Sequence, residues 1–216
     1  MVVSWSGGKD SALALRRAMR QGHRPVALLT MLDETGARSR SHGLSRAVLE
    51  AQAASIGLPL ATAAATWDDY TDAFARALSG LAAPGVGGCV FGDIDIEPHR
   101  RWCVDAARAA GLEALHPLWQ EPRQLLLDEL FADGFRATIV VIREGTIDPG
   151  LLGRELTPQV AEAIAVGGHD ASGENGEYHT VVTAGPILAR PLALVGGERV
   201  HRDDCWALDV KVAAIA

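Results

Sequence analysis

Short apolar runs alternate with amphipathic stretches along the first half of the chain. The runs at residues 1–5, 26–32, 60–65 and 89–92 have the length and apolar content of buried strands. The stretches that begin near residue 10 and span 43–56, 68–81 and 97–110 carry apolar side chains at helical spacing. This alternation of strand and helix predicts an α/β fold with a mostly parallel sheet, covered by helices on both faces.

The pattern of apolar positions changes near residue 118. The sequence predicts a helix at 122–132 and a strong strand at 137–142, followed by an irregular, glycine-rich region with short strand signals at 178–183, 192–195 and 206–212. We therefore predict two domains, residues 1–118 and residues 119–216. Because no Ser/Gly-rich linker separates them, we expect the two parts to pack closely.

Composition and charge indicate a globular protein and argue against nucleic-acid-binding and membrane-spanning proteins. The chain has 216 residues, 48% of them hydrophobic and 22% charged, which is typical of a globular protein. The net charge of -7 argues against a nucleic-acid partner. No apolar run approaches the roughly 18 residues that span a bilayer, and no secretion signal opens the chain, so we expect a cytoplasmic protein without a membrane partner.

The three cysteines, Cys89, Cys103 and Cys205, are scattered along the sequence. None belongs to a CxxC pair, so their spacing suggests neither a zinc knuckle nor a redox dithiol. We predict that they serve as small buried apolar residues.

A polar loop follows the first strand at once and carries the most informative chemistry. It consists of Ser6, Gly7, Gly8, Lys9, Asp10 and Ser11. The glycines permit close approach to the backbone, while the free N–H groups and the dipole of the following helix favour an anion. With two hydroxyls and the Lys9 charge, the loop predicts a phosphate or pyrophosphate site. It is too short for a Walker loop, and a plain glycine turn capped by Asp10 and Ser11 is the alternative.

Two further segments of the first half lie after predicted strands. Gly92 is the last residue of the strand at 89–92 and Asp93 follows it, while His42 lies at the end of the polar loop after the second strand. Ligands of open α/β sheets bind at the carboxyl ends of strands, so Gly92 could admit a nucleotide and Asp93 could hold Mg²⁺. The alternatives are a turn with a capping carboxylate and a structural or exposed histidine.

Residues 173–180 form the densest polar cluster of the second half. Strand alternation would place Glu177 and His179 on one face, close to Glu174. Two carboxylates and an imidazole can bind Mg²⁺, hold an amine or move a proton. The alternative is an exposed acidic turn that leads into an edge strand.

Taken together, these motifs resemble the diphthine–ammonia ligase family of ATP pyrophosphatases. The resemblance rests on S-G-G-K-D-S, S-H-G, F-G-D-I followed by H-R-R-W, H-P-L-W, L-G-R-E-L and G-E-N-G-E-Y-H-T, in the family's order. It implies a Rossmann-like, ATP-binding PP-loop domain of the adenine nucleotide α-hydrolase type and a smaller α+β domain for the substrate. The implied reaction adenylates a carboxylate with ATP, releases pyrophosphate, and forms an amide with ammonia or an amine as AMP leaves.

The resemblance also implies roles for the residues singled out above. Lys9, Glu174, Glu177 and His179 are expected to be catalytic, and Asp10 and Asp93 to be Mg²⁺ ligands. The expected ATP-binding residues are Ser6, Gly7, Gly8, Lys9, Asp10, Ser11, His42, Gly92 and Asp93.

The match to the family departs at two positions of the last motif. Asn175 stands where diphthamide-forming members have a glycine, and His179 where they have a glutamate. This variant resembles a bacterial-type subgroup for which a link to cobalamin salvage has been proposed, and the Ala- and Arg-rich composition is typical of a GC-rich bacterial gene. The transferable implication is ATP-dependent amide or related bond formation on a small-molecule or protein carboxylate. The acceptor and the presence of a homodimer are left open.

Two other functions share the first loop. Thiolating tRNA enzymes need a catalytic cysteine, usually with CxxC elements, and a basic surface, neither of which this sequence has. A nucleotide-binding sensor without catalysis remains the alternative from another class, because the same architecture serves such proteins.

Overall fold

A computed structural model describes residues 1–202 and 204–213 of the chain. Six α-helices and eleven strands are found in these residues. The helices are α1 Lys9–Arg20, α2 Arg46–Ile56, α3 Tyr70–Leu81, α4 Glu97–Ala109, α5 Arg123–Ala132 and α6 Pro158–Val166. The strands are β1 Val2–Ser4, β2 Ala27–Leu32, β3 Leu60–Ala64, β4 Gly88–Val90, β5 Glu113–Leu115, β6 Arg136–Arg143, β7 Tyr178–Ala184, β8 Leu194–Val195, β9 Arg199–Arg202, β10 Cys205–Leu208 and β11 Lys211–Val212.

The first five strands form a parallel sheet in the order β3-β2-β1-β4-β5. The chain starts in the middle of this sheet, builds one side with β2 and β3, and then crosses to the other side with β4. The order therefore reverses between β1 and β4, which is the crevice where ligands of open α/β sheets bind. The sheet is Rossmann-like, as the sequence predicts.

A smaller antiparallel sheet follows in the order β7-β6-β10-β9. Strand β6 pairs with β7 from Arg136 to Ile142, with a register shift between Ile139 and Val141. Strands β8 and β11 make a separate two-stranded ladder. Helices α5 and α6 accompany this part, so it is α+β in character.

The two parts share one hydrophobic core. A single cluster of buried side chains contains Leu13 and Leu15 of α1 together with Leu127 of α5 and Val181 of β7. A second cluster lies on the other face of the parallel sheet, around Phe74 and Phe91. Because α1 is buried between the parallel sheet and the second half, the loop that precedes α1 lies at the junction of the two parts.

The ends of the helices have local causes. Helix α2 ends at Gly57, whose φ of 81° is the left-handed conformation that favours glycine. Helix α6 begins with Pro158, and the hydroxyl of Thr157 accepts a hydrogen bond from the N–H of Val160. The longest described helix, α4, has 13 residues, and within the described part of the chain none has the length and apolar character needed to cross a membrane.

The structure differs from the predicted elements mainly after residue 110. Strand β5, helix α6 and strand β9 are present although none of them was predicted. The predicted strand 206–212 is divided between β10 and β11, which belong to different sheets. Edge strands of two to four residues carry too few positions for a recognisable alternation, and α6 follows a proline in a glycine-rich region.

Candidate functional site

A cleft of about 500 Å³ opens where β1, β2 and β4 end and β7 begins. Nine of the predicted site residues line it: Ser6, Lys9, Asp10, Ser11, His42, Gly92, Asp93, Glu174 and His179. The structure therefore brings together motifs that lie more than 160 positions apart in the sequence. Gly7, Gly8 and Glu177 are not among the lining residues.

The loop between β1 and α1 is shaped by its two glycines. Gly7 has a φ of 83°, and a Cβ atom there would lie 2.7 Å from a methyl carbon of Leu44. A Cβ at Gly8 would lie 2.5 Å from Nε2 of His42. Neither position has room for a side chain, and the backbone of the loop is thereby held against its neighbours.

The start of α1 has the features of an anion site. Its N-cap, Gly8, makes no side-chain capping bond, and the Ser11 hydroxyl donates to the carbonyl of Gly8 at 3.0 Å. The hydroxyls of Ser6 and Ser11 lie 3.1 Å apart. In the alternative interpretation Asp10 and Ser11 would cap the helix, but in the described structure the side chain that accepts from the first N–H of α1 is that of Thr180. The dipole of α1 still favours a negative charge at this end of the helix.

Lys9 and Asp10 form an ion pair in the same cleft. The Lys9 Nζ lies 2.7 Å from Oδ1 and 2.8 Å from Oδ2 of Asp10. The Lys9 side chain is buried, whereas that of Asp10 is 35% exposed. An incoming anion therefore has to compete with Asp10 for the ammonium group.

Strand β7 is hydrogen-bonded directly to this loop. The Lys9 N–H donates to the hydroxyl of Thr180 at 3.1 Å, and the Val182 N–H donates to the carbonyl of Gly7 at 2.9 Å. The amide of Gln52 donates to the carbonyls of both Gly7 and Val182. Gln52 is fully buried and was not predicted, because a glutamine within an amphipathic helix carries no sequence signal for such a bridge.

Glu174 lines the cleft, and the pKa of its carboxyl group lies in the neutral range. Burial, with the nearby Asp10 carboxylate as the next cause, raises the pKa of Glu174 from 4.5 to about 7. Both causes disfavour the charged carboxylate. A group with this pKa can take up or release a proton near neutral pH.

His42 and His179 lie against each other at the rim of the loop. Their ring centroids are 4.5 Å apart. Burial, followed by the positive charge of Lys9, lowers the pKa of His179 to about 4. Burial also lowers the pKa of His42 well below its usual value, with His179 and Lys9 contributing. Both imidazoles are therefore neutral near pH 7.

Glu177 occupies a different place from the one that strand alternation suggests. It precedes β7 in a turn, and its Oε1 accepts bonds from the Asp170 N–H and from the Asn175 side chain, each at 3.3 Å. The side chain is buried, and its Oε2 has no hydrogen-bond partner among the described residues. Glu177 therefore holds the segment from Asp170 to Asn175 by hydrogen bonds without lining the cleft, whereas His179 lines the cleft.

Arg123 joins this loop to the parallel sheet. Its guanidinium group donates to both carboxylate oxygens of Asp95 at 2.7 Å, to Asp170 at 2.6 Å and to the side-chain oxygen of Asn175 at 3.1 Å. Asp95 lies after β4, while Asp170 and Asn175 belong to the segment before β7. The sequence did not single out Arg123, because its partners are 28, 47 and 52 residues away.

Gly92 and Asp93 lie beside the start of α1. A Cβ at Gly92 would lie 3.0 Å from the backbone of Asp10 and Ser11. The absence of a side chain at Gly92 therefore allows the first turn of α1 to pack against this strand end. The Asp93 carboxylate lines the cleft together with Asp10. Two carboxylates in one cleft suit Mg²⁺, which prefers oxygen ligands.

Comparison with known proteins assigns the chain to a family. Models of the diphthamide synthase N-terminal and C-terminal domains match residues 1–114 and 121–215. The chain belongs to the diphthamide synthase family. The resemblance stated from the motifs is thereby confirmed at the level of the family.

Curated relatives carry the name diphthine–ammonia ligase. The protein from Mus musculus is 25% identical over 94% of this chain and 85% of its own length. The protein from Schizosaccharomyces pombe is 23% identical over 97% of this chain but only 38% of its own length. A solved structure described as a predicted subunit of tRNA methyltransferase from Methanocaldococcus jannaschii has a TM-score of 0.43 and 16% identity, covering 86% of this chain and 97% of that chain. This last likeness is too weak to bear on fold or function.

Proposed function

We propose that this protein is an ATP-dependent ligase that adenylates a carboxylate and joins it to ammonia or an amine, releasing pyrophosphate and AMP. The observation that carries the proposal is the bond between the Lys9 N–H and the Thr180 hydroxyl, which ties an anion-binding loop to the Glu174–His179 segment. Phosphate-binding and proton-transferring groups thus line one cleft. Membership in the diphthamide synthase family supports the same reaction class.

On the phosphate side, the loop would bind the β and γ phosphates of ATP. The hydroxyls of Ser6 and Ser11 and the N-terminus of α1 offer hydrogen-bond donors to phosphate oxygens. Lys9 would exchange its bond with Asp10 for the phosphates and offset the charge that develops on departing pyrophosphate. Mg²⁺, when bound by Asp10 and Asp93, would supply positive charge to the phosphate oxygens.

On the acceptor side, Glu174 would remove a proton from the attacking nitrogen. Its pKa of about 7 leaves a substantial fraction of the carboxylate ionised at neutral pH. The neutral His179 would orient the acceptor by hydrogen bonding without adding charge. Glu177, which does not line the cleft, would act as a positioning residue for the loop that carries Glu174.

The remaining assignments are proposals of the same kind. Residues 1–118 would bind ATP, and residues 119–216 would bind the acceptor, with the cleft between them. The acceptor would be a small-molecule or protein carboxylate, the site of action the cytoplasm, and no nucleic acid would take part. The motif at 174–180, where Asn175 and His179 set this chain apart from diphthamide-forming members, supports the bacterial-type subgroup and argues against diphthine as the acceptor.

The test is release of pyrophosphate from ATP with Mg²⁺ across a panel of carboxylate acceptors and ammonium. We expect at least one acceptor to trigger pyrophosphate and AMP formation. Glu174→Gln should bind ATP like the parent but lose turnover, while Glu162→Gln, which changes an exposed glutamate on α6, should retain it. ATP binding with only orthophosphate release across the panel would overturn the proposal, and ATP binding without any hydrolysis would favour a sensor.

A further inference from the structure

A second group of ligand-forming side chains shares Asp93 with the cleft and extends away from it. Asp93, Cys103 and His116 each present one ligand atom, and these three atoms lie within 4.8 Å of one another. They come from three different elements: the loop after β4, helix α4 and the segment after β5. Because they are separated by 10 and 13 positions in the sequence, their spacing resembles no metal motif.

Cys103 and His116 are buried in the cluster with few hydrogen bonds for their polar atoms. The Cys103 side chain is 3% exposed, and its thiol donates to Oδ2 of Asp93 at 3.3 Å. Nε2 of His116 is buried without a hydrogen-bond partner among the described residues. Buried polar atoms are nearly always paired, so an orphaned imidazole nitrogen needs an explanation.

The orientation of His116 is fixed by packing. Its ring stacks on Phe91 with a centroid distance of 5.4 Å and an interplanar angle of 17°, and its edge meets Trp119. Burial lowers its pKa, which favours the neutral form. A rigid neutral imidazole is the form that binds metal ions.

We propose that Asp93, Cys103 and His116 bind a divalent transition metal of the Zn²⁺ type. Asp93 would contribute Oδ2, the oxygen that faces the Cys103 thiol, and its Oδ1 would be the oxygen left for Mg²⁺ in the proposed ligase reaction. One thiolate, one imidazole and one carboxylate suit Zn²⁺ or Co²⁺, and they do not suit Mg²⁺, which prefers oxygen ligands alone. Zn–ligand bonds of about 2.0–2.3 Å separate tetrahedral ligands by roughly 3.3–3.8 Å. Because the ligand atoms lie within 4.8 Å of one another, the site forms when they close in by about 1.5 Å at most.

His99 of α4 is a further candidate ligand near Asp93. The Nδ1 of His99 lies 3.9 Å from Oδ1 of Asp93, and His99 precedes Cys103 by one helical turn. A water molecule or His99 would complete the tetrahedron. The thiol of Cys103 gives up its proton when the metal binds, so binding is expected to strengthen as the pH rises.

The test uses Co²⁺ as a spectroscopic probe on the full chain, without nucleotide. We expect one Co²⁺ per chain with a thiolate-to-cobalt absorption band in the near ultraviolet, which excess Zn²⁺ abolishes. Cys103→Ser should lose the band, and His116→Gln should weaken Co²⁺ binding by roughly tenfold or more. Cys89→Ser is the matched control, because Cys89 is equally buried but lies outside the cluster.

Two results would overturn the proposal. One is the absence of a thiolate band in the parent protein, and the other is a band of the same intensity in Cys103→Ser. Circular dichroism of each variant establishes that it is folded, and the half-buried His116 provides an independent arm if Cys103→Ser does not fold. Because no ATP is present, failure of this test leaves the proposed ligase reaction untouched.

Discussion

Thr180→Val is expected to weaken the junction between the anion loop and the second half of the chain. Valine keeps the shape of threonine but cannot accept the hydrogen bond that the Lys9 N–H donates at 3.1 Å. Thr180 is 2% exposed, so water does not replace the lost acceptor. An unpaired buried N–H costs about 1–3 kcal/mol. For a chain of this size that free energy lowers Tm by about 2–4 °C per kcal/mol.

The assay is thermal unfolding of the ligand-free protein, followed by calorimetric titration with ATP. Thr183→Val on the same strand is the matched control, because the Thr183 hydroxyl donates to the carbonyl of Arg136 at 3.3 Å near the surface. We expect this control to stay within about 0.5 kcal/mol of the parent and to bind ATP normally. Only Thr180→Val should bind ATP more weakly, since it alone frees the loop. Equal losses of Tm in the two variants, or none in Thr180→Val, would refute the role of this bond.

Three other predictions concern the cleft. The pKa of Glu174 is about 7 in the folded protein against 4.5 ordinarily, so its contribution to stability is complete below pH 4.5 and is lost as the pH rises through 7. Glu174→Gln should therefore gain Tm relative to the parent above pH 7 and lose that gain near pH 4.5, and a pH-independent difference in melting experiments would contradict this. Gly8→Ala has an allowed φ of -93°, but its Cβ would lie 2.5 Å from Nε2 of His42, so it should displace His42, impair ATP binding and lower Tm less than Gly7→Ala does. Gly7→Ala, with a φ of 83° and a Cβ 2.7 Å from Leu44, should lower stability by at least about 1–2 kcal/mol; a melt and an ATP titration of the pair decide between them. Lys9→Met should slow pyrophosphate release by roughly 10²–10³-fold, and a rate within a few-fold of the parent would remove its proposed role.

The parallel sheet could be predicted because its buried strands are continuous apolar runs. Strands β1, β2, β3 and β4 and helices α1 to α5 all overlap predicted segments, although β4 begins one residue before its predicted start and α1 continues to Arg20. Strand β5 was missed, since Glu113–Leu115 has three residues and begins with a charged one. Strand β9, Arg199–Arg202, is largely polar because it lies at the edge of its sheet, so it carries no apolar alternation.

The residues of the candidate site could be predicted from the sequence only where several polar residues lie close together along the chain. The loop at residues 6–11 combines glycines, hydroxyls and a lysine within six positions, and residues 173–180 are similarly dense. Gln52 and Arg123 act through partners up to 130 positions away, so no spacing rule indicates them. The grouping of Cys103 with His116 likewise depends on the fold, which brings α4 and the end of β5 together.

Asn175 and His179, where the resemblance leads us to expect a glycine and a glutamate, have different physical consequences. Asn175 adds a bridge that a glycine cannot make, because its amide accepts from Arg123 and donates to Glu177. It therefore stiffens the loop that carries Glu174. His179, whose pKa is lowered to about 4, is neutral where the resemblance leads us to expect a carboxylate, so the charge of the cleft would differ. A unit charge about 4 Å from another is worth roughly 4 kcal/mol near a protein surface. In the proposed ligase reaction, a neutral side chain at residue 179 would spare an anionic acceptor the repulsion that a carboxylate would exert beside the triphosphate. We therefore expect residue 179 to act on the choice of acceptor and residue 175 on the rigidity of the site.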